Sequence, residues 1–189
     1  MSSDKTELRV KMKDSFTKVD ALELYSKSKQ LSLNLLSLIK SLNLASDSIM
    51  GIYAPLKDEP DWQVGFGEIY DDKLAFAAIE NDQMAFYKCR PSECVEKKDF
   101  GVTIKGPPKE RLNKPISPEV LIIPGLAFDR NGARLGRGKG FYDKYLEKFS
   151  GSRIGVCFDF QILDAIPSMA HDQGVDYIVT NQEIIRIRE

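Results

Sequence analysis

The chain is 189 residues long, carries a formal net charge of −1 and is 42% hydrophobic. That length supports one sizeable core, more naturally a single domain over 1–189 than two. The balanced charge gives no field to draw in nucleic acid or an anionic membrane, and the longest apolar runs fall far short of the ~20 residues that span a bilayer.

The N-terminus, MSSDKTELRVKMKD, is polar and holds acidic residues, unlike a secretory leader. Asp4 is a candidate N-cap for a short helix over Lys5–Lys13. A longer helix is predicted over Val19–Leu42, where Leu31, Leu35, Leu38, Ile39 and Leu42 fall on one face. Ser48–Ala54 reads as a strand. Lys73–Ile79 and Gln83–Cys89 read as two strands of a hairpin around Glu80-Asn81-Asp82. A Pro-rich connection, Gly106–Pro118, precedes the apolar run Val120–Ile123, which suits a buried strand. Phe141–Phe149 is predicted helical, with Gly151 placed to end it. Arg153–Phe158, Asp176–Thr180 and Glu183–Ile187 complete the strands. Cys89, Cys94 and Cys157 form no C-x-x-C pair, which reads as free thiols in a reducing compartment, so the expected location is cytoplasmic. Helices alternate with strands whose apolar runs lack a simple polar alternation. The predicted fold class is therefore α/β: a single-domain sandwich with a central, largely parallel or mixed sheet flanked by helices.

One segment stands apart from this scaffold. Beyond Val120–Ile123 the chain runs through Gly132, Gly136, Gly138 and Gly140, interleaved with Arg134, Arg137 and Lys139, into the predicted helix. Glycines let backbone N–H groups approach an anion, and cations among them suit a polyphosphate. A helix start beyond the loop would add oriented donors. Phe141 after Lys139-Gly140 rules out the P-loop motif and the dinucleotide fingerprint alike. A mobile, charged surface loop is the plain alternative. In an open α/β sheet, the C-terminal edge of the strands is where ligands collect.

The run Pro124, Gly125, Leu126, Ala127, Phe128, Asp129, then Arg134, Leu135, Gly136, Gly138, Gly140, Tyr142 and Asp143, resembles the signature of the 5-formyltetrahydrofolate cyclo-ligase (5,10-methenyltetrahydrofolate synthetase) family. Lys5-x-x-Leu8-Arg9 resembles that family's N-terminal motif, and Gln161, Pro167, His171-Asp172 and Val175-Asp176 its C-terminal pattern. The resemblance implies ATP- and Mg²⁺-dependent cyclisation of 5-formyltetrahydrofolate to 5,10-methenyltetrahydrofolate, by a monomer with no nucleic-acid or membrane partner. It implies ATP contacts from Lys5, Arg9, Arg134, Leu135, Gly136, Arg137, Gly138, Lys139, Gly140, Phe141 and Tyr142, with Arg134, Lys139 and Tyr142 catalytic. It implies folate contacts from Ala54, Glu59, Phe100, Arg137 and Phe141, and magnesium association at Asp143 and Asp172.

Each assignment has a plainer reading in the residues themselves. Lys5 and Arg9, at i and i+4, make a solvated basic helix face; Asp143 and Asp172 make a surface acid and a loop cap; Glu59 makes an acid in the turn Asp58-Glu59-Pro60-Asp61. Phe100, Phe141 and Tyr142 suit core packing as well as a pterin wall. Phe141 stands where the family has the first of two tyrosines, and the other departures also cluster on the folate side. Two alternatives follow: phosphoryl activation of another amide or carboxylate, or a folate- or nucleotide-binding protein without turnover.

Overall fold

Asp4 and Asp20 each place a carboxylate on the first amides of the helix that follows, fixing where the two N-terminal helices begin. The computed structural model describes residues 4–99, 102–169 and 171–187. Helix α1 spans Lys5–Phe16, a turn longer than the sequence suggests, and α2 spans Ala21–Ser41. Strand β1 (Met50–Ile52) leads to α3 (Gln63–Phe66), which runs on as a 3-10 turn over Gly67–Lys73. Then come β2 (Leu74–Glu80), β3 (Gln83–Lys88), β4 (Val95–Asp99) and β5 (Val102–Gly106). The second half holds β6 (Val120–Pro124), β7 (Ala127–Asp129), β8 (Arg134–Leu135), α4 (Phe141–Leu146), β9 (Ser152–Val156), β10 (Ile162–Leu163), β11 (Tyr177–Val179) and β12 (Ile184–Arg186).

The main sheet has seven strands in the order β12-β11-β9-β6-β1-β2-β3. Its centre is parallel, and antiparallel strands β12 and β3 close its edges. The β2–β3 hairpin turns at Asn81 and Asp82, with φ of 51° and 59°, the left-handed pair that a two-residue hairpin needs.

The period of two along β6 divides the core. Val120 and Ile122 face α2, packing with Leu31, Leu35, Trp62 and Phe76. Leu121 and Ile123 face the opposite layer, with Phe128, Leu146 and Phe149. That layer contains α4 and a small sheet in the order β10-β7-β8. Helix α1 lies on the small sheet through Leu8 and Met12, against Leu126, Ala127 and Leu135. Phe16 pins its far end edge-on to Phe158 and Phe160.

One predicted boundary moves, and two further features appear. Helix α4 stops at Leu146 rather than Phe149, because Arg153 takes the carbonyls of Leu146 and Phe149, each at 2.8 Å, and turns the chain there. Strands β4 and β5 pair with each other and, among the described residues, with no other strand. The Pro-rich connection also touches the sheet, through an antiparallel bridge of Ile116 to Phe86.

Candidate active site

The loop after β6 is held by buried polar side chains. Asp129, at the end of β7, accepts from the amides of Asn131 and Ala133 at 2.9 and 3.1 Å with one oxygen and from the amide of Ile166 at 2.9 Å with the other. Gln161 is fully buried; it donates to the carbonyls of Gly125 and Leu126, both at 3.0 Å, and accepts from the amide of Phe158. These two residues of the resembling motifs build the scaffold that aims the glycine-rich loop. Buried groups this fully paired are rigid.

Helix α1 crosses that loop. Arg9 Nε donates to the carbonyl of Gly136 at 3.0 Å, and Lys5 Nζ pairs with Asp172. Two cations from the N-terminus, the glycine loop and the 172 loop therefore meet in one place. Gly138 and Gly140 have φ of 99° and 71°, which a side chain would strain. A Cβ on Gly138 would stand 3.5 Å from the Arg9 guanidinium, and one on Gly140 would meet nothing within 4 Å. The loop backbone is thus open on the side where a ligand would sit. Helix α4 is only six residues long, so its dipole adds little and anion binding falls to the loop amides and the cations. Leu135 is buried under α1, which leaves it only backbone groups to offer a ligand. Lys139 is exposed on the loop, and Phe141 opens α4 half-buried.

Arg134 is the most enclosed of the loop cations, its side chain 6% exposed. It reaches Asp143 at 3.2 Å and the carbonyl of Pro124 at 3.4 Å, and its guanidinium lies 5.3 Å from the centre of the Tyr142 ring. Two atoms here are buried with no hydrogen-bond partner among the described residues: Arg134 Nε and the Tyr142 hydroxyl. Orphaned donors cost stability, and their clustering beside an open loop marks a place prepared for a polar ligand.

On the other side of the loop, Arg137 spans to the turn after β1. Its Nε donates to Glu59 Oε1 at 3.1 Å and its NH2 to Asp58 Oδ1 at 2.6 Å. Glu59 Oε2 accepts from the amide of Leu56 at 3.0 Å. Burial pushes the Glu59 carboxyl above its ordinary range, with Arg137 pulling the other way. Burial first, and then the Glu59 charge, raises the phenols of Tyr53 and Tyr142, so these groups share one low-dielectric recess. Tyr53 is fixed by donating to the carbonyl of Pro60 at 2.7 Å, and Trp62 Nε1 donates to the carbonyl of Tyr53 at 2.9 Å. Ala54 follows in the chain and packs on the core at the rim. Phe100 lies outside the described residues.

For a cation, Asp143 is the better placed carboxylate. Its hydrogen bonds, from Arg134 and from the amide of Gln173 at 3.4 Å, fall on Oδ1, leaving Oδ2 without a partner among the described residues. Asp172 spends Oδ2 on Lys5 and the amide of Met169. Burial raises the Asp172 carboxyl, but these bonds more than offset it and hold it below its ordinary value. Among the described residues no three His, Cys, Asp or Glu side chains gather into a metal cage. The donor set therefore suits a hard cation carried largely by phosphate oxygens and water.

A sequence model of the 5-formyltetrahydrofolate cyclo-ligase family matches residues 1–181. The chain belongs to that family. The cyclo-ligase of Mycolicibacterium smegmatis is 38% identical over 95 residues, a stretch covering 49% of this chain and 48% of that relative, so the match spans about half the relative's length. The solution structure of Aquifex aeolicus 5,10-methenyltetrahydrofolate synthetase superposes with a TM-score of 0.78 at 30% identity, covering 98% of this chain and 93% of the other. The Mycoplasma pneumoniae 5,10-methenyltetrahydrofolate synthetase has the same fold, with a TM-score of 0.75 at 19% identity over 95% and 99% of the two chains. Within the family signature, the structure thus separates scaffold residues such as Asp129 and Leu135 from those facing the open loop, Arg134, Arg137 and Tyr142. Asp58, in the bonding of this site, stood out in the sequence only as part of the turn Asp58-Glu59-Pro60-Asp61, and Gln161 only as a motif residue without an assigned role. The pairing of Arg137 with the turn at 58–59 had no local sign at all.

Proposed function

We propose that the protein cyclises 5-formyltetrahydrofolate to 5,10-methenyltetrahydrofolate at the expense of ATP, releasing ADP and phosphate. The observation that carries this reading is the pair of orphaned donors, Arg134 Nε and Tyr142 Oη, buried between the glycine-rich loop and the Glu59 recess. A phosphoryl group arriving from the loop side and a formyl oxygen arriving from the recess would meet at those donors.

The formyl oxygen is a poor leaving group until it takes the γ-phosphoryl group of ATP. A bond forms from that oxygen to phosphorus and the bond to ADP breaks. The neighbouring amine then attacks the formyl carbon and phosphate departs with the oxygen. Such a transfer needs alignment and fixed positive charge rather than a protein nucleophile. Arg134 and Lys139 supply that charge in this reading, the amides of Gly136, Gly138 and Gly140 hold the triphosphate, and Lys5 and Arg9 close over it from α1. Tyr142 donates an O–H hydrogen bond to the reacting group, since burial and the Glu59 charge keep the phenol protonated. Glu59 receives the paired N–H donors of the pterin, with Ala54 and Phe141 around the ring. Mg²⁺, held by Asp143 beside the phosphates with Asp172 in support, would neutralise charge on the transferring group.

The protein acts as a monomer in this reading, in the cytoplasm. The net charge of −1 and the lack, among the described residues, of a helix long and apolar enough to cross a membrane support a small-molecule role. The test is to follow the methenyl product's absorbance after mixing pure protein with 5-formyltetrahydrofolate, ATP and Mg²⁺. Product should require both ATP and Mg²⁺ and match ADP mole for mole. Folate-independent ADP release, or turnover of another formyl or carboxyl compound alone, would reject the assignment.

A further inference from the structure

One guanidinium in the site is shared by two adjacent carboxylates with different surroundings. Arg137 NH2 lies 2.6 Å from Asp58 Oδ1 and 3.1 Å from Glu59 Oε1. The Glu59 side chain is 8% exposed, that of Asp58 30%. Glu59 is also immobile: its amide donates to the carbonyl of Leu56 at 3.1 Å while its Oε2 accepts the Leu56 amide. Arg137 is based on the glycine-rich loop, where Arg9 holds the preceding carbonyl, and reaches across to the turn with a long, adaptable side chain.

This arrangement contains a competition. A flat ligand edge with two adjacent N–H donors needs one in-plane lone pair from each Glu59 oxygen. The Oε1 position is taken by Arg137. A ligand edge that approaches Oε1 from the loop side competes with the guanidinium there, and an Arg left without an anion would drift from the loop into solvent. Asp58 prevents this. Its contact with NH2 is the shorter of the two that NH2 makes, and the Nε bond belongs to Glu59 alone, so the guanidinium can give up one carboxylate while staying on the other.

Resting on the cyclo-ligase reading, we propose that Asp58 is a positioning residue: it retains Arg137 at the mouth of the site when the folate takes over Glu59. The exchange frees Arg137 Nε–H while the guanidinium stays between the two ligands. Asp58 thereby makes folate binding less costly, because Arg137 keeps one carboxylate through the exchange, whereas without Asp58 it would lose its last. It also keeps the cation within reach of the reacting oxygen.

The test is a double-mutant cycle read by calorimetric titration of each ligand, with thermal melts of every variant. Asp58→Asn should weaken 5-formyltetrahydrofolate by about tenfold, the equivalent of one charge-assisted hydrogen bond, and leave the ATP dissociation constant in place. Asp58→Glu, which keeps the charge, should restore most of the loss. In an Arg137→Ala background, Asp58→Asn should cost nothing further, since the two residues act through one contact. Parent-like folate affinity in Asp58→Asn overturns the proposal. So does an equal loss for ATP, an Asp58→Glu variant as weak as Asp58→Asn, or a full additional loss without Arg137. Turnover by the parent protein is measured first and stands apart: its absence rejects the cyclo-ligase reading, whereas its presence with any of those four results rejects only the role of Asp58.

Discussion

Gly136 offers a way to move Arg134, the cation proposed to act on the transferring group, while leaving the rest of the loop in place. Its φ is not positive, so alanine fits the backbone without strain. A Cβ there would stand 2.9 Å from Arg134 NH1, and relief to ordinary contact requires the guanidinium to retreat by about half an ångström. Arg134 has little room to do so: Asp143 at 3.2 Å, the Pro124 carbonyl at 3.4 Å and the Tyr142 ring enclose it. Displacements of this order at a reacting centre cost about 10–100-fold in rate. The fold should change little, because loss of glycine entropy in the unfolded chain contributes roughly 0.4–1 kcal/mol of stability against the local crowding. The expected Gly136→Ala phenotype is a kcat lower by about one to two orders of magnitude, with the melting temperature shifted by only a few degrees and ATP titrating nearly as before. Methenyl absorbance under saturating ligands, thermal denaturation and calorimetry give the three readings. A kcat within about twofold of the parent would refute the idea that the position of Arg134 limits catalysis.

Glu59→Gln should weaken folate binding by about 1.5–3 kcal/mol and spare ATP, as measured by titrating each ligand. Because burial raises the Glu59 carboxyl, it takes up a proton at higher pH than an ordinary glutamate, so folate affinity should begin to fall above the usual carboxylate range as the solution is acidified. For Asp159, burial is more than offset by Lys27 at 2.8 Å, and its carboxyl lies below its ordinary value. Its contribution to stability is present above the unfolded-state value and is lost as pH falls through the folded one; Asp159→Asn should remove that part of the denaturation-versus-pH curve. Leu35→Ala, at a fully buried position between α2 and the sheet, should cost about 2–5 kcal/mol in urea denaturation without changing either ligand's relative affinity.

What the sequence disclosed was local. The leucine spacing of α2 and the Asn81-Asp82 turn each carry their own pattern, and both elements lie where expected. The β4–β5 hairpin escaped because VEKKD is polar beyond Val95 and the alternation in VTIKG, Val102 and Ile104 against Thr103 and Lys105, runs for only four residues. Strands β7, β8 and β10 span two or three residues, too short for any period. The glycine-rich loop was visible as composition, but its partners were not. Arg137 meets Glu59 across 78 positions and Lys5 meets Asp172 across 167, and contacts between such distant residues leave no trace in a window of neighbours.

The attachment of α1 has a consequence for how the molecule breathes. Its contacts all run to distant parts of the chain: Leu8 and Met12 on a small satellite cluster, Phe16 on two rings, Arg9 and Lys5 on loops. The strands of the main sheet do not depend on it. Such a unit opens on its own at a free-energy cost below that of global unfolding, so its amides should exchange with deuterium before those of β6 and β9. Each opening uncovers the glycine-rich loop. A nucleotide bridging loop and helix would therefore slow exchange along α1 in proportion to its occupancy, so the N-terminal helix would report on the ligand as well as bind it.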